Sequence, residues 1–329
     1  MTSLRPLDAA AVALLLLLCL SWGFQQVVVK LAFETFPPIM QMTLRSVGAC
    51  VVVTAWCAVT GRGGLFRRDG TLLSGVIAGL LFGLEFILIF VGLQWTDASR
   101  SAVFIYTAPF FVALGATWLL PDERMGPAQW LGLLASFVGV AIALGVPHVA
   151  ASSRAWLGDL MVLAGGALWG ATTLLIKASP LRRAPPEKVL IYQLAVSSVV
   201  GAVAMLAAGE RMGPVSTVAV GSVLYQTIWV AGVTYVLWFR LLSTYPASPL
   251  QAGTSMAPLF GVAAAAVVLG EPITLGFGLA VLLVVGGLVL VNRKRQTLPP
   301  APRRHRRRPR RRAGRAAPSR APPAAAGLP

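Results

Sequence analysis

Glu85 lies in the stretch GVIAGLLFGLEFILIFVGLQWTDASRSAVFIYTAP, between Gly75 and Pro109, with apolar residues on both sides. A charge at the centre of a membrane helix costs roughly 2.5–3.5 kcal/mol on insertion scales, so such residues usually face a cavity or a partner. Arg45, in the preceding apolar window, and Tyr106, in the following one, are the groups that could meet it. At 1.5 Å per residue from the centres of their spans, Glu85 lies about 4.5 Å and Arg45 about 7 Å into the same half of the bilayer, with Tyr106 at a similar depth. An Arg45–Glu85 pair with a hydrogen bond from Tyr106 fits those depths, and a paired charge is cheaper to bury than a lone one. Glu85 would then bind a cationic group of a cargo or take up a proton, with Arg45 setting its charge state. The structural alternative is an ion pair that only holds the helices together.

Gly75, Gly79 and Gly83 recur every four residues and form a seam along which another helix backbone can approach. Glu85 lies about 160° around the helix from Gly83, beside Ala78, Phe82 and Ile89, so a seam packed on a neighbour turns the carboxylate inward. Trp22, Gln26 and Lys30 form a polar-aromatic stripe, repeated by Trp169, Thr173 and Lys177. Both lysines fall at span ends, where snorkelling is expected. Tyr192, Gln193, Thr234, Tyr235 and Trp238 supply neutral polar and aromatic groups later in the chain, with no acid among them. Pro109 and Pro258 each remove a backbone donor inside an expected span, as a hinge or as a kink that packing tolerates.

The elements that must position these residues are membrane helices. Of 329 residues 57% are hydrophobic and 12% charged, with a mean hydropathy of +0.76, which describes a multi-span membrane protein. Apolar windows divided by Gly, Pro and charge give ten spans, at about 9–30, 39–60, 71–93, 98–120, 127–146, 156–177, 187–208, 218–242, 248–269 and 274–292. Arg62, Arg67, Arg68, Arg124, Arg182, Arg183 and Lys188 gather on one side, which places the N- and C-termini in the cytoplasm. The net charge of +17 is a property of the tail: 13 Lys/Arg and no acid follow from Arg293 onward. That tail, 293–329, is Pro/Arg/Ala-rich and is expected to be disordered, solvated and attractive to anionic lipid headgroups. It carries no interleaved aromatics, which disfavours nucleic acid as a partner.

The chain repeats itself. Trp22, Gly23 and Lys30 match Trp169, Gly170 and Lys177; Pro37-Pro38 matches Pro185-Pro186, placing Arg45 opposite Gln193; Ala98-Ser99 and Pro109 match Ala247-Ser248 and Pro258. Segments 9–146 and 156–292, after a short cytoplasmic segment 1–8, are thus two units of five spans. Five is odd, so the units have opposite orientations, an arrangement many secondary transporters use to build one midplane site. Cys19, Cys50 and Cys57 read as small apolar residues, and His148 and His305 are isolated, so no metal or cofactor is expected. No HExxH, GxSxG or GxxxxGKS pattern is present, which argues against an enzyme and against ATP-driven transport.

The openings SWG and LWG, Arg45, the segment TDASRSAVFIYTAPFFVALGATWLLPDERMGPAQWLG and its later counterpart APLFGVAAAAVVLGEPIT together resemble the EamA-type drug/metabolite transporter family. The resemblance covers about residues 9–292. It implies a 5+5 inverted-repeat bundle around a central cavity, and the movement of small metabolites, often outward. Carried onto this chain, it makes Trp22, Arg45, Glu85, Tyr106, Trp169, Gln193, Tyr235 and Trp238 the cavity candidates. Glu85 is not a general feature of that family, and the arginine-rich tail lies outside its pattern. The expectation is therefore an all-α inner-membrane secondary carrier that exports an amino-acid-like or amphipathic small molecule by alternating access. Import of the same cargo is the alternative within transport, a homodimer is compatible with either, and a non-transporting sensor or scaffold presenting the tail is the alternative outside it.

Overall fold

Prolines and short polar residues start several of these helices, and glycines end two of them. The computed structural model describes residues 8–61, 69–119, 126–146, 153–235, 237–238, 241, 245 and 253–292. Helix α1 (Ala9–Leu31) begins at Asp8, whose carboxylate accepts a hydrogen bond from the Ala11 amide at 2.8 Å. Pro38 and Pro186 open α2 (Pro38–Val59) and α8 (Pro186–Ala208), at positions where a missing N–H leaves nothing unpaired. Between them run α3 (Leu72–Trp95), α4 (Ala98–Ile105), α5 (Ala108–Leu119), α6 (Pro127–Gly145) and α7 (Ala155–Ala178). After α8 come α9 (Thr217–Leu224), α10 (Ala257–Leu269) and α11 (Leu275–Asn292). Gly209 and Gly270 stop α8 and α10 in the left-handed conformation, at φ +63° and +68°.

The described residues contain helices and no strands, and eight spans are long and apolar enough to cross a membrane. Two shorter apolar helices, Thr254–Leu269 and Leu275–Val291, stand where the ninth and tenth spans were expected. Residues 248–252, where the ninth was expected to begin, lie outside the described residues, as does the tail 293–329. Three expected spans are not continuous α-helices. The fourth breaks at Tyr106 and Thr107, between α4 and α5. The eighth passes from α9 into a π-helical stretch, Tyr225–Thr234. The ninth enters α10 through a 3₁₀ turn, Thr254–Met256. Pro109 and Pro258 are the second residues of α5 and α10, so each interruption lies before its proline, and each ring occupies a first turn where it costs little.

Polarity is arranged as a bilayer demands. Val267, Leu275, Leu206 and Trp118 are exposed, whereas Arg45, Glu85, Arg100 and Asp159 are buried. α3 packs on α7 and α8, α2 on α8, α1 on α10, α5 on α7, and α6 on α11. The glycine seam of α3 makes one of these contacts: a Cβ on Gly79 would come within 2.5 Å of Val196 Cβ and 2.7 Å of the Tyr192 carbonyl, both on α8. Charged residues secure the helix ends. The Glu210 carboxylate accepts from the Ile39 and Met40 amides at 3.1 and 2.6 Å, and that of Glu271 from the Ala98 and Ser99 amides at 2.7 and 2.9 Å. Lys30, in the last turn of α1, lies 3.5 Å from Glu271. In the loop before α3, Asp69 accepts from Lys188 Nζ at 2.8 Å, and the ammonium and the Thr71 hydroxyl hold its pKa down to about 2.

Candidate functional site

α2 turns Gln41, Arg45, Ser46 and Ala49 into the protein, and α3 turns Ala78, Phe82, Glu85, Phe86 and Ile89 towards them. Arg45 is 2% exposed and Glu85 3% exposed, which puts both charges inside the helix bundle. The guanidinium carbon Cζ lies over the Phe86 ring, 4.1 Å from its centroid. Phe82 continues that aromatic floor 4.7 Å further on. Glu85 and Tyr235, which follows the π-helical stretch, are within electrostatic reach of Arg45.

The expected bonding differs from the observed one. Arg45 and Glu85 do not form an ion pair, and Tyr106 donates to neither. Arg45 Nε and Nη1 and Glu85 Oε2 are buried without a hydrogen-bond partner, as are Ser46 Oγ and Thr227 Oγ1. Depth along the helices places the groups at one level, but Arg45 settles over the Phe86 ring rather than on the carboxylate. Buried polar atoms are ordinarily paired, so a cluster of unpaired ones marks a place where bonding capacity is held open.

Aromatic side chains from both halves of the chain pair with one another, and Tyr235 lies within electrostatic reach of Arg45, Glu85 and Tyr106. Trp22 meets Trp238 edge-on at 5.6 Å and donates from Nε1 to Thr234 Oγ1 at 2.9 Å. Tyr106, at the break between α4 and α5, meets Trp169 edge-on at 5.9 Å. Trp22, Trp238 and Tyr235 are half-buried, and Trp169 is 36% exposed. Arg45, Glu85, Tyr235 and Tyr106 are linked electrostatically, Trp169 meets Tyr106, and Trp22 pairs with Trp238. Gln193 stands apart, half-buried on α8, with no hydrogen bond to the group among the described residues.

Residue types alone did not reveal two other networks. In one, the π-helical stretch donates from the Tyr225 hydroxyl to the Ser21 carbonyl at 3.0 Å, from Trp229 Nε1 to Ser21 Oγ at 2.9 Å, and from Gln226 Nε2 to Gln41 Oε1 at 2.8 Å. In the other, Arg100 Nε donates to both carboxylate oxygens of Asp159 at 3.1 Å, and Nη2 donates to the Ala143 carbonyl at 2.7 Å. Thr96 also donates to Asp159. Arg100 and Asp159 fall within about the first turn of the expected spans 98–120 and 156–177, so the rule that singled out Glu85, a charge at a span's centre, passes over them. Among the described residues no group of three His, Cys, Asp or Glu could hold a metal ion.

Residues 9–145 and 156–293 each match the EamA-like transporter family. The chain belongs to that family. An uncharacterized transporter of Bacillus subtilis (strain 168), YoaV, is 26% identical over 277 residues, 82% of this chain and 92% of its own. A probable amino-acid metabolite efflux pump of Salmonella typhimurium is 23% identical over 292 residues, 84% of this chain and 93% of its own. A riboflavin transporter of Rhizobium johnstonii is 32% identical over 129 residues, 39% of this chain and 40% of its own. A protein crystal structure superposes with a TM-score of 0.61 at 20% identity, covering 85% of this EamA-like chain and 95% of its own, which is a likeness of fold.

Proposed function

We propose that this chain, a multi-pass transporter of the cell membrane, is a secondary carrier that moves a small polar or amphipathic metabolite outward by alternating access. The observation that carries the reading is the buried, unpartnered polar cluster at Arg45 and Glu85, with Phe86 of the first family-matched segment against Arg45 and Tyr235 of the second within electrostatic reach. A closed scaffold gains nothing from such a cluster, whereas a carrier needs bonding atoms that only its cargo or a coupling ion satisfies. Glu85 takes that role for a cationic group of the cargo or for a proton.

The reading includes a 5+5 inverted repeat with both termini in the cytoplasm. Packing supports it, because the cross-half contacts come in reciprocal pairs. α1 on α10 corresponds to α7 on α5, and α3 on α8 corresponds to the π-helical stretch on α2. The pairs α2–α8 and α6–α11 correspond to themselves, as elements on a two-fold axis should. Lys/Arg placement supports the orientation. In it the basic tail lies on the cytoplasmic side, where anionic headgroups attract it at about 1 kcal/mol per residue near the surface. The Salmonella relative, named for efflux, favours the outward direction.

The test compares metabolites inside and outside cells that contain or lack the protein. A carrier exporting small metabolites depletes one class inside and accumulates it outside, and does so equally after truncation beyond Arg295. Unchanged metabolite pools, or an effect lost with the tail, would support the scaffold reading instead.

A further inference from the structure

We infer that Arg45 is the anchor for a carboxylate on the cargo. The inference rests on the carrier reading above and names the chemistry its site selects. The Phe86 ring lies against the guanidinium, its centroid 4.1 Å from Cζ, and offers it no acceptor oxygen. Two of those nitrogens, Nε and Nη1, are buried with no hydrogen-bond partner, although Arg45 is 2% exposed. A guanidinium held over a ring with Nε and Nη1 unbonded matches a planar group with two acceptor oxygens. A doubly charged phosphate fits less well, because Glu85 lies within electrostatic reach and would repel the second charge.

Charge balance defines what else must enter. Arg45 and an ionised Glu85 together carry no net charge, so an incoming carboxylate has to bring a positive charge or find one. Either the same cargo carries an ammonium group that meets Glu85 Oε2, which is also unpartnered, or Glu85 binds a proton when a plain acid occupies Arg45. Both arrangements share the Arg45–carboxylate contact, and both leave the half-buried Trp22, Tyr235 and Trp238 to face the body of the cargo.

Three probes built on one branched skeleton separate these cases: 4-methylpentanoate, leucine and 3-methylbutylamine, each titrated calorimetrically into the full-length carrier in lipid nanodiscs. The expected result is that at least one carboxylate-bearing probe binds and the amine alone does not. Arg45→Gln should weaken that binding by about tenfold or more, and Arg45→Lys, which keeps the charge but not the fork, should weaken it less. Glu85→Gln then distinguishes the sources: leucine binding is lost if the cargo is a zwitterion, and 4-methylpentanoate binding is kept or tightened if Glu85 carries a proton. Comparable melting temperatures for the variants exclude misfolding, and if Arg45→Gln does not fold, Arg45→Lys carries the comparison alone. Amine binding as tight as carboxylate binding, no binding by any probe, or undiminished carboxylate binding in a folded Arg45 variant would overturn the inference. Should that happen while the metabolite pools still shift, the carboxylate anchor fails and the carrier reading stands; if the pools do not shift, the carrier reading fails first.

Discussion

Two buried charged groups in this protein are treated in opposite ways, and the difference separates support from function. Asp159 is wholly buried, with Arg100 and Thr96 donating to its carboxylate, and Arg100 also reaches a backbone carbonyl of α6. Removing one partner of such a pair strands the other, at a cost of about 3–5 kcal/mol, while replacing both with apolar residues of similar volume is far milder. Asp159→Asn should therefore lower the melting temperature of the detergent-solubilised protein sharply, and Arg100→Met with Asp159→Leu should recover much of the loss. Equal losses in the single and double variants would show that the pair does not act as a unit. Arg45 and Glu85 lack such partners, and that open bonding capacity is the reason to assign them to cargo. Their types and depths could be read in the sequence, because an ionisable residue deep in an apolar window stands out. Their failure to pair could not, since it depends on how Arg45 stacks on Phe86. Arg100 and Asp159 were passed over because charges near span ends resemble interfacial residues.

At the scale of helices, hydropathy and punctuation carried most of the information. Pro38, Pro186, Gly209 and Gly270 mark ends that the helices observe, and the seam at Gly75, Gly79 and Gly83 meets α8. Leucine at Gly79 has no room, because a Cβ there would already come within 2.5 Å of Val196 Cβ. Overpacking of this kind costs about 1–3 kcal/mol and would force α3 and α8 apart. Gly79→Leu should lower thermal stability and reduce transport, whereas Leu at exposed Val199 on the same α8 should change neither. Equal behaviour of the two would contradict the close packing. Pro109 signalled an interruption in the fourth span, but its place at Tyr106–Thr107 and the π-helical stretch were not legible. A hydropathy window sums over a whole span and does not register a change of one residue per turn or two unwound residues, which tertiary hydrogen bonds such as Gln226 to Gln41 sustain.

For the whole molecule, the functional reading joins two matched segments around one polar interior. The proposed internal repeat rests on paired Trp-Gly, Pro-Pro and Ala-Ser positions in the sequence, and the reciprocal packing across the halves supports it. Chemical divergence between the halves was equally visible: the first supplies Arg45 and Glu85, and the second supplies Tyr235 and Trp238. A single ionisable group exposed to one side at a time is what couples a cargo to an ion gradient without ATP. The measurement that bears most directly on this is flux through the purified carrier in liposomes, for wild type and Glu85→Gln, across a range of pH. The expected result is a wild-type rate that varies with pH and a Glu85→Gln rate that is at least several-fold lower and flat with pH. A Glu85→Gln protein with the wild-type rate and the wild-type pH dependence would contradict the mechanism.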